Sequence, residues 1–463
     1  SLGTRAEAEA ALLSFRSHPS AVPTCRLVLD GDAPMVVHFQ AVNCVRDVAL
    51  TQWARMCSAT RAELTEYLMR HVFHRAPARA VRAQMLQTVV LLQKRGWSVV
   101  EDAQRTAFLQ SVRSLFTAQD AAQTSLGLEI VALLVAEFGS TKSSAMGMTE
   151  RFHKDSKLAF GRAGLLECYQ LASSHASQIA QNTARGGATD AALCTALALA
   201  LDVTADILSW QFGSWSAANF LVYPPETWRP HLLASAVPAA LFALYGALRA
   251  EAVRRSLFDA PPAAAAAATP PQRAFEADDD ALRALLRNAR RCMTQFASLH
   301  GRKLFANDDA SLAFLAVLIP GVGALAAASA ASVAHSAAAA PGSGAEDDAD
   351  GGGFVGDEAT DTSVMVLRLA QNFGFSTLTR AAGVAELLAT FSSLAAQLLR
   401  ADAAHAAAVR TEVISDVAAQ PAAERPTPTE LYARLAGERD QSWRIRAFDM
   451  AFDCWGLLAV EPL

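Results

Sequence analysis

Apolar residues recur at alternating spacings of three and four along most of this chain, the signature of amphipathic helices. Val42, Val45, Ala49, Trp53 and Met56 fall on one helix face. Leu64, Leu68 and Val72 repeat the pattern, as do Val81, Met85, Val89 and Leu92. Phe108, Val112 and Leu115 continue it, and Leu126, Ile130, Leu134 and Phe138 follow. No run of period-two alternation bounded by hairpin turns competes with this reading.

Short breaks separate the helices. Gly31 to Pro34 form one and Ala76-Pro77 another; Gly96 is read as a glycine stop, and Asp120 as the N-cap of the next helix. Helix, turn and helix together take about forty residues, the period of HEAT-like repeats. The predicted fold is therefore all-α: an α-solenoid, a superhelix of HEAT-like antiparallel helix pairs. A single pair cannot bury its own apolar face, so neighbours must stack, and the second helices of the pairs then line one long surface. Such a surface suits the holding of another protein.

The chain has 463 residues, too many for one ordinary core, and its 52% hydrophobic content supplies apolar surface along its whole length. The pattern divides it into N-terminal repeats at 1–138 and middle repeats at 139–335, the latter with a low-complexity, proline-flanked polyalanine insertion near 259–273. A Gly-rich acidic loop, expected to be disordered, follows at 336–358, and further repeats occupy 359–463. Net charge is −5, with no long Lys/Arg stretch, which speaks against nucleic acid as a partner. The seven cysteines are scattered without a C-x-x-C, so reduced and mostly buried thiols are expected. The first residues lack the pattern of a signal peptide. Residues 313–334 carry no charge over a membrane-spanning length, but Pro320, Gly321 and Gly323 interrupt them. A buried helix, a break and an Ala-rich loop are expected there, with no membrane insertion.

Catalytic signatures are missing. There is no phosphate-binding G-x-x-x-x-G-K-[ST], no G-x-G-x-x-G, no H-E-x-x-H and no G-x-S-x-G. His71 and His74 lack a third ligand at a supporting spacing and read as exposed helix residues beside Arg70 and Arg75. His300-Gly301 reads as a helix end, with a histidine favoured near its negative pole. Asp278-Asp279-Asp280 reads as a helix N-terminus rather than a metal site. No enzyme activity, no cofactor and no metal are expected.

Several segments, taken in order, carry a more specific signal. Ala41 to Val45 leads on to Trp53; Leu64 to Leu68 follows; then Val81-Arg82-Ala83-Gln84-Met85-Leu86 runs to Lys94-Arg95-Gly96. This succession resembles the exportin-4 group of nuclear transport receptors, within the importin-β or karyopherin superfamily and close to exportin-7 and Ran-binding protein 17. Ser143 to Met148 with Glu150-Arg151-Phe152-His153, Ile207 to Phe212, Pro225 to Arg229, Ala297 to Gly301 with Phe305, and Ala447-Phe448-Asp449 with Trp455 resemble later landmarks of that family. The resemblance implies a chain that starts inside the family's first repeat and stops where members continue.

It also implies a nuclear export receptor. Members bind Ran-GTP and protein cargo cooperatively, pass nuclear pore proteins and shuttle between nucleus and cytoplasm; a translation initiation factor 5A or Smad-type cargo is implied. Ran is held partly by inner helices of the first repeats, so polar positions there are the candidates: Gln40, Asn43 and Asp47 on one helix, and Arg82, Gln84 and Lys94 on the next. Two other readings share the helical framework: a generic HEAT-repeat scaffold and an importin-type receptor.

Overall fold

The computed structural model describes residues 2–117, 120–141, 146–185, 187, 189–212, 221–233, 236–257, 275–338, 354–419, 430, 447 and 449–453. The described residues are helical throughout, apart from connections and two isolated bridges, Thr189 with Phe275 and Val222 with Leu299. The all-α prediction holds, and neighbouring helices stack as in a helical repeat array. The polyalanine insertion, the centre of the acidic loop, Ser143 to Ala145, Phe448 and Trp455 lie outside the described residues. The helices on either side extend into the expected acidic loop, to Ala338 and from Phe354.

The chain forms two compact units, 1–171 and 172–463. In the first, α1 (Leu2–Arg16) precedes three antiparallel pairs. These are α2 (Ala21–Asp30) with α3 (Met35–Thr51), α4 (Ser58–Arg75) with α5 (Arg79–Gly96), and α6 (Asp102–Thr117) with α7 (Ala121–Gly139). Successive pairs begin at intervals of about forty residues, as the breaks require. The second helices α3, α5 and α7 also pack on one another in sequence, so they form one row, and α2, α4 and α6 form the other. Then come α8 (Glu150–Ala163) and α9 (Leu165–Ala184).

Burial follows the apolar periodicity. Val42, Val45 and Ala49, then Leu64, Leu68 and Val72, then Val81, Met85, Val89 and Leu92 are all buried. Asp120 caps α7 as expected, its carboxylate accepting from Ala122 N at 2.9 Å. At the far end of α5, Trp97, Phe138 and Phe160 form an aromatic cluster, with ring centroids 4.3–5.3 Å apart. Gly96 does end α5, but for a different reason from a left-handed stop. A Cβ there would lie 3.1 Å from Val100 and 3.3 Å from the Trp53 ring, so the glycine makes room for packing. Trp53 itself sits past the end of α3, on a 3-10 turn, with the Arg61 guanidinium 4.1 Å from its ring centroid.

The second unit contains α10 (Ala191–Leu208), a short α11 (Arg229–Leu232), α12 (Val237–Arg254), α13 (Asp279–Ala297), α14 (Asp308–Ala338), α15 (Phe354–Leu378) and α16 (Val384–Ala419). Helix α13 is its centre, packing on α10, α12 and α15, while α14 packs on α15 and α16. Asp278 caps α13, accepting from Ala281 N at 2.7 Å. The acidic triplet is thus a helix start, where carboxylates also complement the positive pole.

One expectation fails here. Helix α14 runs unbroken through Pro320, and the Ala- and Ser-rich half is helix rather than loop. Packing overrides local propensity: Val322, Leu325, Ala326, Ser329, Ala330, Ser332 and Val333 are buried. Pro320 faces outward, as does Ala316, so the carbonyl four residues back that loses its donor sits on the exposed side. By length and composition α7, α10 and α14 could each cross a membrane. In this fold each spends its apolar face on helix packing.

Buried charge ties four helices of this unit together. Glu358, fully buried, accepts from Tyr245 Oη at 2.5 Å, from Arg249 Nε at 3.0 Å and from Ser329 Oγ at 3.0 Å. Beside it, Arg290 Nε donates to Asp361 Oδ2 at 2.7 Å. The set spans α12, α13, α14 and α15 and fixes their relative register.

Candidate functional site

The row of α3, α5 and α7 carries all six residues singled out from the sequence. Gln40, Asn43 and Asp47 occur at i, i+3 and i+7, which places them along one face of α3. Gln40 is exposed, whereas Asn43 and Asp47 are half-buried. Asp47 is already held: its carboxylate accepts from Arg46 at 3.0 Å and pairs with Arg16 of α1 at 2.7 Å. Arg16 was not singled out, since nothing in the spacing shows that α1 returns to α3.

The α5 residues do not share a face. Arg82 and Gln84 are two positions apart, nearly opposite each other around the helix. Arg82 is half-buried and bridges to Glu129 of α7 at 2.9 Å. Gln84 is also half-buried, and its side-chain nitrogen is covered and has no hydrogen-bond partner among the described residues.

Lys94 is fully buried. Its ammonium donates to the Glu137 carbonyl at 2.5 Å, to Glu137 Oε1 at 3.1 Å and to the Ser140 carbonyl at 3.4 Å. Burial pushes its pKa below the usual lysine value, and the Glu137 carboxylate opposes that shift. Lys94 therefore ties α5 to the end of α7 and offers nothing to the surface. The sequence pattern could not show this, because a lysine before a helix end usually points to water. Gln87 Nε2 reaches Glu137 as well, at 3.5 Å. Arg82, Gln87 and Lys94 thus make a polar seam between α5 and α7, and its acidic partners Glu129 and Glu137 were not singled out from the sequence.

The histidine pair also differs from expectation. His74 is exposed, but His71 is buried, its Nδ1 3.4 Å from Asp30 Oδ1. Three positions apart, the two rings share a side of α4, and His71 is the one that reaches inward to Asp30 of α2. Among the described residues no group of three His, Cys, Asp or Glu side chains is arranged to hold a metal. Among the described residues the cysteines are free; Cys25, Cys44, Cys168, Cys194 and Cys292 are buried and Cys57 is exposed. Burial and the neighbouring Cys44 push the Cys25 thiol up to about 12. The row of second helices thus carries amides and charges set among packed apolar residues.

The family model described as Exportin-4 matches residues 2–224, which include all of α1 to α10 and the six candidate residues on α3 and α5. Through this stretch, a little under half of the chain, the sequence is similar to the exportin-4 family. A relative, Exportin-4 of Dictyostelium discoideum, is 22% identical over 239 residues. That alignment takes in 47% of this chain and 21% of the relative, so the chain spans about a fifth of the length of the curated exportin-4 it matches. The landmarks from Ala41 to Phe212 lie within the family match, while those from Pro225 onward lie beyond it.

Proposed function

We propose that the chain acts as a nuclear export receptor that binds Ran-GTP and protein cargo cooperatively, and that it performs no chemistry of its own. The observation that carries this reading is the exportin-4 match over residues 2–224, on a region built as stacked helix pairs. Shuttling between nucleus and cytoplasm, contact with nuclear pore proteins and a factor 5A or Smad-type cargo follow from the same reading.

In this proposal Ran-GTP contacts the row of second helices through Gln40, Asn43, Asp47, Arg82 and Gln84. The α3 set is the stronger part, because its residues share a face. Gln84 is the weaker member, because its amide nitrogen is covered and would have to turn outward to meet a partner's backbone. Lys94 would act on that surface only indirectly, by fixing α5 against α7. Ran-GTP and cargo favour the same arrangement of the repeats, so each tightens the other by an equal factor.

The test is capture of Ran locked in its GTP form against Ran locked with GDP, with and without nuclear extract. Preference for the GTP form, and cargo that co-purifies only with it, supports an exporter. Indifference to the nucleotide supports a generic HEAT-repeat scaffold, and cargo displaced by Ran-GTP supports an importin.

A further inference from the structure

On the other row of the first unit, α2 and α4 enclose a cleft of about 460 Å³. Arg26 and Asp30 of α2 line it, together with Tyr67, Arg70, His71, His74 and Arg75 of α4. We propose that this cleft is a docking site for a carboxylate-rich segment of a partner protein, separate from the row of second helices.

Asp30 is the single carboxylate in the lining, and its charge is already engaged. Tyr67 Oη donates to Asp30 Oδ1 at 3.1 Å, and the buried His71 ring lies 3.4 Å from the same oxygen. Arg26 forms part of the wall, stacked 4.7 Å from the Tyr67 ring centroid and bonded to Glu63 at 2.7 Å. The mouth is different. Arg70 and His74 are one turn apart on the exposed side of α4, and Arg75 follows. Arg75, at the end of α4, is occupied in serving the end of α2, donating to the Asp30 carbonyl at 3.1 Å. That role does not extend to Arg70, which lies more than a turn before the end of α4.

The form of the cleft selects the ligand. Its volume is several times that of one carboxylate or phosphate group, and its cationic groups are spread along the mouth rather than gathered on one point. This suits a short acidic peptide run rather than a free anion. A nucleic acid is disfavoured, because few cations face a chain of net charge −5.

The experiment is fluorescence anisotropy of a dye-labelled hexaglutamate peptide with the full 463-residue chain. Hexaserine and phosphoserine peptides and inorganic phosphate serve as competitors. Saturable binding that weakens with added salt is expected, with about a tenfold loss in the Arg70→Glu/His74→Ala variant and a smaller loss in Arg70→Ala. Arg162→Glu, an exposed charge reversal on α8, should bind like the parent. Thermal unfolding of each variant, matching the parent, shows that the fold is intact. Absence of saturable binding, equal binding by the parent and both Arg70 variants, or displacement by phosphate at lower concentration than by unlabelled hexaglutamate would overturn the proposal. Ran-GTP capture by the variants should remain at the parent level. If the parent captures no Ran, the peptide result still decides this cleft by itself.

Discussion

The Lys94 ammonium is sealed between α5 and α7, bonded to both the carbonyl and the carboxylate of Glu137. Removing one member strands the other charge in a dry site, which costs about 3–5 kcal/mol. Lys94→Ala should therefore lower the midpoint of chemical unfolding of the first unit by an amount of that order. Lys94→Met/Glu137→Leu removes both charges and should recover most of the loss. Denaturant melts followed by the fluorescence of Trp97, which is buried on the neighbouring turn, would measure both. Equal destabilisation by the single and double variants would show that the pair does not act as a unit.

The same melts should depend on pH. His71, His153, His175 and His300 all have pKa values pushed below the ordinary histidine value, in each case chiefly by burial. These groups are neutral in the folded chain and take up protons more readily once it unfolds. Their contribution to stability is present above the unfolded pKa, near 6.5, and is lost as pH falls below it toward the depressed folded values. Tm should be flat from pH 8 to 7 and fall between about pH 6.5 and 5. His153→Phe should make that fall shallower; an unchanged slope would remove His153 from the account.

Much of the fold was legible because helix periodicity is local. The faces of α3, α4 and α5 could be read from Val42, Leu64 and Val81 onward, and the breaks at Gly31 and Ala76 fell where helices end. Asp120 and Asp278 declared themselves as caps, since an N-cap needs only its own neighbours. What could not be read were properties decided across helices. Lys94 is buried because Glu137, 43 residues later, receives it. His71 is inward because Asp30 waits on α2. The α3 candidates share a face because their spacing alone sets it, while Arg82, Gln84 and Lys94 were grouped by sequence nearness and point in different directions.

In the second unit the buried carboxylate of Glu358 depends on Tyr245, Arg249 and Ser329. Arg249→Met leaves that charge without its main counter-ion, and a loss of about 3–5 kcal/mol is expected. Tyr245→Phe deletes the hydrogen bond to Glu358 and the longer one that the hydroxyl accepts from Arg290, but leaves the counter-ion in place and should cost less, about 1.5–3 kcal/mol. Amide hydrogen exchange across α12 and α15 is the readout, because the network joins those helices. A Tyr245→Phe effect as large as that of Arg249→Met would contradict this ordering.

Two adjacent residues of α14 should respond in opposite directions. Pro320 lies inside a helix on its exposed side, so it lacks a backbone donor without adding a buried contact. Pro320→Ala restores the missing bond and should stabilise by up to about 3 kcal/mol. Gly321 faces the core: a Cβ built on it would lie 2.4 Å from the Phe242 ring, inside any permitted contact. Gly321→Ala gains helix propensity of about 1 kcal/mol but must displace an aromatic ring, which costs about 1–3 kcal/mol. A net loss is expected, and Gly321→Ala/Phe242→Leu should recover it by making room for the methyl group. Differential scanning calorimetry of the three variants beside the parent tests the argument. Stabilisation by Gly321→Ala alone would mean that Phe242 yields freely, and that the close approach of α12 to α14 is not what demands a glycine at this position.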